Sequence, residues 1–318
     1  MGRLIAFLLG FVIWGVAYSQ GSFPSKPVKL IVGFPPGGGN DILARLVGAK
    51  LQDAWGQPVL VENKPGANAI IATEFVAKSP ADGYTLLIGA SGALTFNPGL
   101  YAKLPYDPQR DFAPITMLGS FPLILAVNPS LPAQSVKDLV ALARAQPGKL
   151  NYAAGSTPFQ LAAELFKLQA GVQISHISYK GSAAMVTAVM SNDVQLVFVD
   201  SLPAMAQVRS GRLRALAVTS RARAAALPEV PTMIESGMAD YEVVLWTSLF
   251  APAGTPRAVI EAVHAQAGKA LQAADVRERM AALGVDPIGN APEQLAAIVK
   301  ADIDKWTAVA RRAGVKAD

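Results

Sequence analysis

The residues with the clearest chemical potential form a glycine-rich loop, Phe34-Pro-Pro-Gly-Gly-Gly-Asn-Asp41, between a predicted strand and a predicted helix. Its three glycines allow a sharp turn and leave backbone N–H groups uncovered by side chains. Asn40 or Asp41 can cap the helix that follows. Because amides at the positive end of a helix dipole favour anions, the loop predicts an anion site. A tight turn without a ligand is the competing interpretation.

This loop does not match the common phosphate-binding motifs. No lysine follows the glycines, as it would in a P-loop, and Ile42 occupies the third glycine position of a dinucleotide-binding fingerprint. We therefore predict no nucleotide cofactor, and no other cofactor is indicated.

A second loop, Ala154-Gly-Ser-Thr-Pro-Phe-Gln160, also follows a predicted strand. Thr157, Pro158 and Gln160 fit the N-cap, first and third positions of a helix, which together make a capping box. A capping box alone stabilises a helix and binds nothing. In open α/β sheets, however, ligands bind at the carboxyl ends of strands. Two such loops facing each other predict a site for a ligand with two anionic ends.

Alternating strands and helices position both loops. Predicted strands cover about 27–33, 59–62, 85–89, 123–127, 150–153, 174–179, 196–199, 213–219 and 245–250. Predicted helices cover about 41–55, 70–78, 136–146, 158–170, 182–191, 256–283 and 292–313. Apolar strands separated by helices are typical of parallel sheets covered on both faces.

Composition and charge narrow the classes of function. The chain has 318 residues, 52% hydrophobic and 16% charged, which favours two domains with substantial cores. Its net charge of +5 is scattered, and the densest basic group, from Arg209 to Arg223, has no aromatic residues to stack on bases. We predict no nucleic-acid binding. Without cysteines, an H-x-x-x-H motif or an acidic cluster, no metal site is predicted.

The N-terminus predicts secretion. Arg3 is followed by an apolar run from Leu4 to Val16, and the small residues Ala17 and Ser19 suit a signal peptidase that cleaves after Ser19. The run is shorter than the roughly 20 residues that span a bilayer, which disfavours the alternative of a membrane anchor. We expect residues 1–19 to be a cleaved signal peptide.

A family resemblance rests on seven ordered segments: PVKLIVGFPPGGGNDILAR, VENKPGANAIIATEFVAKSPADGYTLL, PGKLNYAAGS, ISYKGSAAM, GRLRALAVTS, LPEVPTMIESG and LFAPAGTP. Over about 24–316 the chain resembles the Bug-type (TctC-like) extracytoplasmic solute-binding receptors of tripartite tricarboxylate transporters. The resemblance implies a type II-like periplasmic-binding-protein fold, in which two Rossmann-like α/β lobes are joined by hinge strands. Lobe 1 is then about 24–124 plus 245–318, and lobe 2 is about 125–244.

The same resemblance implies a periplasmic monomer that holds a small carboxylate between its lobes and delivers it to transporter membrane subunits or a sensor protein. The ligand is a dicarboxylate, an acidic amino acid or an aromatic acid. In lobe 1 the implied ligand-binding residues are Phe34, Gly37, Gly38, Gly39, Asn40, Asp41, Ala90, Ser91 and Asn97. In lobe 2 they are Gly155, Ser156, Thr157, Tyr179 and Asp200. Asn40 replaces the usual threonine or serine, and Phe159 replaces a polar residue, so the ligand's identity stays open.

Asp200 has three competing interpretations. It caps a helix predicted to start near Pro203, pairs with Lys180, or accepts a hydrogen bond from an amino or hydroxyl group of the ligand. A carboxylate beside a carboxylate ligand is otherwise repulsive.

An enzyme is the alternative class. Gly89-Ala90-Ser91-Gly92-Ala93 follows a predicted strand and resembles a nucleophile elbow, with Ala93 in place of the last glycine. The required base has only two candidates: His264 on a long predicted helix, and His176 in a predicted buried strand, where a structural role is favoured. We predict that the chain is not an enzyme. A structural or adhesive protein, the third class, would not explain two anion-binding loops.

Overall fold

The computed structural model describes residues 23–317. The predicted signal peptide lies outside the described residues. Most predicted elements are confirmed with small shifts at their ends, and the fold is the predicted mixed α/β type.

The first half of the sheet contains three parallel strands, β1 (Val28–Val32), β2 (Val59–Asn63) and β3 (Thr85–Ala90). Helix α1 (Gly39–Trp55) connects β1 to β2, and α2 (Ile70–Ala77) precedes β3. Because β1 lies between the other two strands, four of its five residues are buried. This central position explains its almost uninterrupted apolar sequence.

Two long antiparallel strands join the halves of the sheet. β4 (Phe112–Val127) and β9 (Val244–Pro252) pair along the whole length of β9, and Phe121 lies opposite Leu245. The other edge of β9 pairs with β3. C-terminal to Pro122, β4 continues into the second half of the sheet.

The second half repeats the alternation of strands and helices. Its elements are α3 (Val136–Ala145), β5 (Asn151–Ala154), α4 (Thr157–Ala170), β6 (Ser175–Ser178), α5 (Ser182–Met190), β7 (Leu196–Asp200), α6 (Ser201–Arg209) and β8 (Arg214–Val218). β5 lies parallel to β6 and β7, while β4 pairs antiparallel with β7 and β8. The sheet order is β2-β1-β3-β9-β4-β7-β5-β6.

The C-terminal elements are α7 (Arg257–Gln272), α8 (Ala274–Ala282), the short β10 (Asp286–Pro287) and α9 (Pro292–Ala313). α9 contacts both halves: Leu295 and Val299 join a core with β1, β3 and β9 residues, whereas Trp306 joins the core of the second half. Trp306 also stacks on Phe96, with ring centroids 4.3 Å apart. This helix therefore packs across the connection between the halves.

Two predicted elements need correction. The helix predicted over 256–283 is two helices, because Ala273 has extended backbone angles (φ −64°, ψ 134°). The strand that carries His176 is not buried: all four residues of β6 are exposed, since β6 lies at the sheet edge. Its apolar residue Ile177, which suggested burial, is 40% exposed.

Candidate functional site

A cleft of about 470 Å³ lies where the carboxyl ends of β1, β3, β5 and β7 meet the N-termini of α1 and α4. Most of the predicted site residues line it: Phe34, Gly38, Gly39, Asn40, Ala90, Ser91, Asn97, Gly155, Ser156, Thr157 and Asp200. Gly37, Asp41 and Tyr179 lie beside the lining residues and do not themselves form the wall. Contact of any of these residues with a ligand stays a prediction.

The first loop reaches the cleft through its backbone. Gly37 has φ +83°, which favours glycine, whereas Gly38 has φ −78° and needs no such freedom. α1 begins at Gly39 with Gly38 as its N-cap, and no side chain caps it. The prediction that Asn40 or Asp41 is the N-cap is therefore wrong. Within residues 23–317, no side chain therefore caps the first N–H groups of this 17-residue helix, which is the arrangement that can accept an anion.

The carboxylate of Asp41 fixes the conformation of the first loop through hydrogen bonds. Its carboxylate is 2% exposed and accepts hydrogen bonds from the Gly37 N–H (2.9 Å) and from Asn63 Nδ2 (2.9 Å). Arg45 donates to both carboxylate oxygens through Nε, at 3.1 and 3.0 Å. Asn63 Nδ2 also donates to the Phe34 carbonyl at 3.0 Å. Asp41 thus positions the loop.

These partners stabilise the charged form of Asp41. The Arg45 hydrogen bond is the largest influence, and together with the Gly37 and Asn63 donors it outweighs burial, lowering the pKa of Asp41 to about 2. The carboxylate is therefore ionised and fully occupied at neutral pH, with its charge balanced by Arg45.

Asn40 presents an amide to the cleft. The Thr247 hydroxyl donates to Asn40 Oδ1 at 2.5 Å, which leaves the two Nδ2 hydrogens for other partners. Thr247 is buried on β9, so the contact fixes the Asn40 side chain against the adjoining strand. Where a threonine or serine would offer one hydroxyl, Asn40 offers two N–H donors.

The second loop, which leads into α4, differs from the predicted capping motif. α4 begins at Thr157, its N-cap is Ser156, and no side chain makes a capping hydrogen bond. The predicted capping box with Thr157 as N-cap is therefore wrong, because the helix starts one residue earlier than that motif requires. Ser156 lines the cleft, and its hydroxyl has no hydrogen-bond partner within residues 23–317.

Gly155 has a packing role. A Cβ at this position would lie 2.9 Å from the Gly181 nitrogen and 2.9 Å from the Tyr179 carbonyl oxygen. The Tyr179 N–H donates to the Ala154 carbonyl at 3.0 Å, and the tyrosine ring packs against the core of the second half. Tyr179 therefore supports the loop from behind instead of lining the cleft.

Asp200 is the last residue of β7, lines the cleft and occupies the N-cap position of α6, but its side chain makes no capping hydrogen bond. The prediction that it caps this helix is therefore wrong. Lys180 is exposed and forms no ion pair with it among the described residues, so that pairing is also wrong. Asp200 Oδ1 is buried without a hydrogen-bond partner within residues 23–317. Burial raises the pKa of this carboxyl, and the nearby Ser182 hydroxyl opposes part of the shift.

Ser91 and the two histidines do not form a catalytic arrangement in the described part of the chain. Ser91 is 2% exposed, and its Oγ accepts a hydrogen bond from the Trp246 N–H at 3.3 Å. His264 Nε2 lies 3.1 Å from the Asn290 carbonyl oxygen, and His176 Nε2 lies 3.4 Å from that of Ala154. Ser91 therefore links the end of β3 to β9.

Several lining residues were not predicted. They are Pro35, Pro36, Asn68, Gly92, Ala93, Phe121, Pro158, Phe159, Gly181, Ser182, Leu245 and Trp246. Gly181 and Ser182 repeat the strand–glycine–helix pattern of the two predicted loops, so the same signal could have found them. Phe121 and Leu245 lie opposite each other on β4 and β9, a non-local pairing that no local motif signals.

The electrostatic character of the cleft follows from this lining. Among the described residues no lysine, arginine or histidine lines it, and Asp200 is its one charged group. An anion here must be held by backbone amides, hydroxyls, the Asn40 amide and helix dipoles. Residues 23–317 contain no group of three or more potential metal ligands. No helix in that range is both long and apolar enough to cross a bilayer.

Comparison with known proteins agrees with this architecture. The family model described as "Tripartite tricarboxylate transporter family receptor" matches residues 43–315. Protein BugT of Bordetella pertussis is 38% identical over 323 residues, covering 99% of each chain. The structure of R. palustris Rpa4515 with adipate is 35% identical with a TM-score of 0.82, covering 92% of this chain and 99% of that one. MatC from Rhodopseudomonas palustris with bound malate is 30% identical with a TM-score of 0.78, covering 90% of this chain and 99% of that one.

The two half-sheets, the paired strands between them and the intervening cleft define a two-lobed solute-binding protein of the periplasmic-binding-protein fold. Within that class, the chain belongs to the TctC family, the receptors of tripartite tricarboxylate transporters, and Bug proteins are among its relatives.

Proposed function

We propose that this protein captures a small carboxylate between its lobes and presents it to the membrane subunits of a tripartite tricarboxylate-type transporter or to a sensor protein. The observation that carries the proposal is the pair of uncapped helix N-termini, α1 and α4, that face one cleft without a cation. Uncapped N-termini supply N–H donors and favourable dipoles to carboxylates. Two such ends suit a ligand with two anionic groups, or one anionic and one polar group.

The apolar part of the lining supports an organic acid over an inorganic anion. Phe34, Phe121, Phe159, Leu245 and Trp246 surround the donors. Pockets of this kind bury the carbon skeleton of a ligand, while a few polar groups fix its orientation. Rpa4515 with adipate and MatC with malate are similar structures that hold small dicarboxylates.

The same proposal assigns residues 24–124 plus 245–318 to lobe 1 and 125–244 to lobe 2, with β4 and β9 as the hinge. The sheet pairing supports this division, although the C-terminal half of α9 also packs on the core of the second half. In this proposal the receptor is a periplasmic monomer, exported by a cleaved signal peptide, and has no enzymatic activity.

The proposal is tested by calorimetric titration of the mature protein with a panel of dicarboxylates, acidic amino acids and aromatic acids. We expect at least one to bind, and Gly38→Val to weaken that ligand at least tenfold. A Cβ at Gly38 would meet only the Pro35 carbonyl oxygen, at 3.6 Å, so we expect the fold to survive while the valine takes up space in the cleft. A tenfold loss corresponds to about 1.4 kcal/mol.

Gly268→Val is the matched control. Gly268 lies on α7, outside the cleft, and a Cβ there would meet nothing within 4 Å. This variant should bind like the unmodified protein. Unchanged affinity in folded Gly38→Val would remove the glycine loop from the site, and a panel without any binding carboxylate would refute the proposed function.

A further inference from the structure

Asp200 is an unusual group to find in a cleft that takes carboxylates. It is the one acidic or basic side chain of the lining within residues 23–317, and its Oδ1 atom is buried without a partner there. An ionised oxygen in that condition costs considerably more free energy than a neutral one. Within residues 23–317, Oδ1 therefore lacks the proton donor that an ionised Asp200 would need there.

The described elements that pack against Asp200 do not supply a compensating charge. β4 lies directly beside β7, with Leu123 opposite Asp200, and carries no titratable side chain. α5 carries none either, and on α6 Arg209 lies in the last turn, at the far end from Asp200. The titratable Glu164 and Lys167 of α4 pair with each other at 2.7 Å. On the remaining neighbours, Tyr152 of β5 donates to Glu164, and Lys180 before α5 is exposed.

From this geometry we propose that Asp200 is protonated when the cleft is occupied and donates that proton in a hydrogen bond to a carboxylate of the ligand. The inference rests on the proposed function, since it concerns a carboxylate ligand in the same cleft. Two carboxylates that share a water-poor site cannot both stay ionised, so one proton is taken from solvent for each ligand bound. The burial that raises the pKa of Asp200 in the free protein acts in the same direction.

Protonation also gives the two carboxyl oxygens complementary roles. A neutral carboxyl has one donor and one acceptor, so the oxygen on the cleft side carries the O–H toward the ligand, and the buried Oδ1 becomes a neutral acceptor that can accept from the Ser182 hydroxyl. The cleft then presents donors on both sides: the N-terminus of α1 in one lobe, and Ser156 with the Asp200 O–H in the other. Asp200 becomes a specificity residue that favours carboxylates over ligands bearing an ammonium group.

The direct test measures proton uptake. Straight-chain dicarboxylates of four to eight carbons are titrated into the protein by calorimetry between pH 5.5 and 9, in buffers of different ionisation enthalpy. For the tightest of them we expect uptake that approaches one proton per ligand, with Kd rising by up to about tenfold per pH unit in that range. Asp200→Asn keeps the shape and an N–H donor, so it should bind without proton uptake and with little pH dependence.

Asp193→Asn is the matched control, because Asp193 is exposed and outside the cleft; it should retain the uptake. Absence of uptake at every pH, or equal uptake by Asp200→Asn, would overturn the proposal. So would an amino acid ligand that binds tightly to the unmodified protein and at least tenfold more weakly to Asp200→Asn, since that result identifies an ionised Asp200 paired with an ammonium group.

A ligand-free measurement separates this inference from the proposed function. A group whose pKa is raised by folding stabilises the protein at low pH, and that contribution is lost as the pH rises through the folded-state pKa. Asparagine is neutral at every pH. The Tm of Asp200→Asn should therefore match the unmodified protein near pH 4 and exceed it increasingly toward pH 8. A difference that does not change with pH would contradict a protonatable Asp200, whatever the carboxylate panel shows.

Discussion

Gly38 and Gly155 each lie between a strand and a helix whose N-terminus is at the same cleft, but a side chain at the two positions would meet different surroundings. A Cβ at Gly38 would make one ordinary contact, 3.6 Å from the Pro35 carbonyl oxygen. A Cβ at Gly155 would lie 2.9 Å from two backbone atoms of the loop before α5. The space at Gly38 is open, whereas the absence of a side chain at Gly155 allows two loops to pack together.

The two loops also differ in what holds them. Asp41 fixes the first loop through Gly37 and Asn63, and Asn40 is held by Thr247. The second loop has no capping side chain, and its Ser156 hydroxyl has no partner within residues 23–317. Preformed donors bind with less ordering of the protein than donors that must be fixed on binding. We therefore expect the lobe 1 loop to bind the ligand first and the lobe 2 loop to complete the site on closure.

The largest expected effect is on stability, from Gly155→Ala. Because both close contacts are with backbone atoms, the methyl group cannot be accommodated by a side-chain rotation. We expect the free energy of unfolding to fall by about 3 kcal/mol, the upper end for overpacking a folded interior. Urea unfolding followed by circular dichroism measures it.

Gly39→Ala is the matched control for that variant, since a Cβ at Gly39, the first residue of α1, would meet nothing within 4 Å. It should unfold at the same urea concentration as the unmodified protein or slightly above it, because alanine at an unstrained helical position reduces the entropy of the unfolded chain. If Gly155→Ala also did so, the contrast between an open and a packed glycine would be mistaken.

The next effect concerns Asp41, whose carboxylate fixes the conformation of the first loop. Folding lowers the pKa of Asp41 from 3.8 to about 2, so its ionised form stabilises the native state above about pH 4, and the stabilisation is lost as the pH falls toward 2. Asp41→Asn should reduce the free energy of unfolding at pH 6 by about 1 to 2 kcal/mol. This free energy is smaller than the full pKa shift of Asp41 implies, because the Arg45 side chain is 51% exposed and solvent screens the ion pair.

The pH dependence distinguishes this role from a general effect of substitution. The stability difference between Asp41→Asn and the unmodified protein should shrink steadily in urea titrations at pH 6, 4 and 2.5. Asp53→Asn, on the exposed part of the same helix, should have little effect throughout. A difference that is constant with pH would mean that the Asp41 charge does not hold the loop.

Much of the fold could be predicted because its signals are local. β1 is an apolar run, α1 has helical periodicity, and the glycines between them mark the turn. The paired hinge strands were not visible as such: only 123–127 of the 16-residue β4 was predicted as strand, because Pro114 and Pro122 interrupt its apolar pattern. Strand pairing supplies what the local pattern lacks, and β9 runs alongside β4 from Phe112 to Pro122.

The position of the site in the fold could be predicted better than the contacts of its side chains. The first loop was identified from its glycines, but the roles of Asp41 and Asn40 depend on Asn63 and Thr247, which are distant in sequence. Trp246 reaches the cleft only because β9 returns beside β3 and β4. The one-residue error at Thr157 arose because Pro158 is acceptable at either of the first two helical positions, and the motif alone does not decide between them.

The smallest expected effect distinguishes Ser156, in the second loop, from a serine that only caps a helix. Ser135 is the N-cap of α3, and its Oγ accepts a hydrogen bond from the Asp138 N–H at 3.1 Å. Ser156 is the N-cap of α4 and makes no such bond. Ser135→Ala should therefore lower the free energy of unfolding by about 1 kcal/mol and leave ligand affinity unchanged.

Ser156→Ala should show the reverse pattern. Ser156 lines the cleft, so removing its hydroxyl should leave the Tm nearly unchanged while weakening the bound carboxylate about three- to fivefold, roughly 0.5 to 1 kcal/mol, the net scale of a hydrogen bond that water can replace. Calorimetry and thermal unfolding of both variants measure the two quantities side by side. A drop in Tm like that of Ser135→Ala, with unchanged affinity, would show that Ser156 is a helix cap after all. The second lobe would then hold its ligand through backbone amides alone.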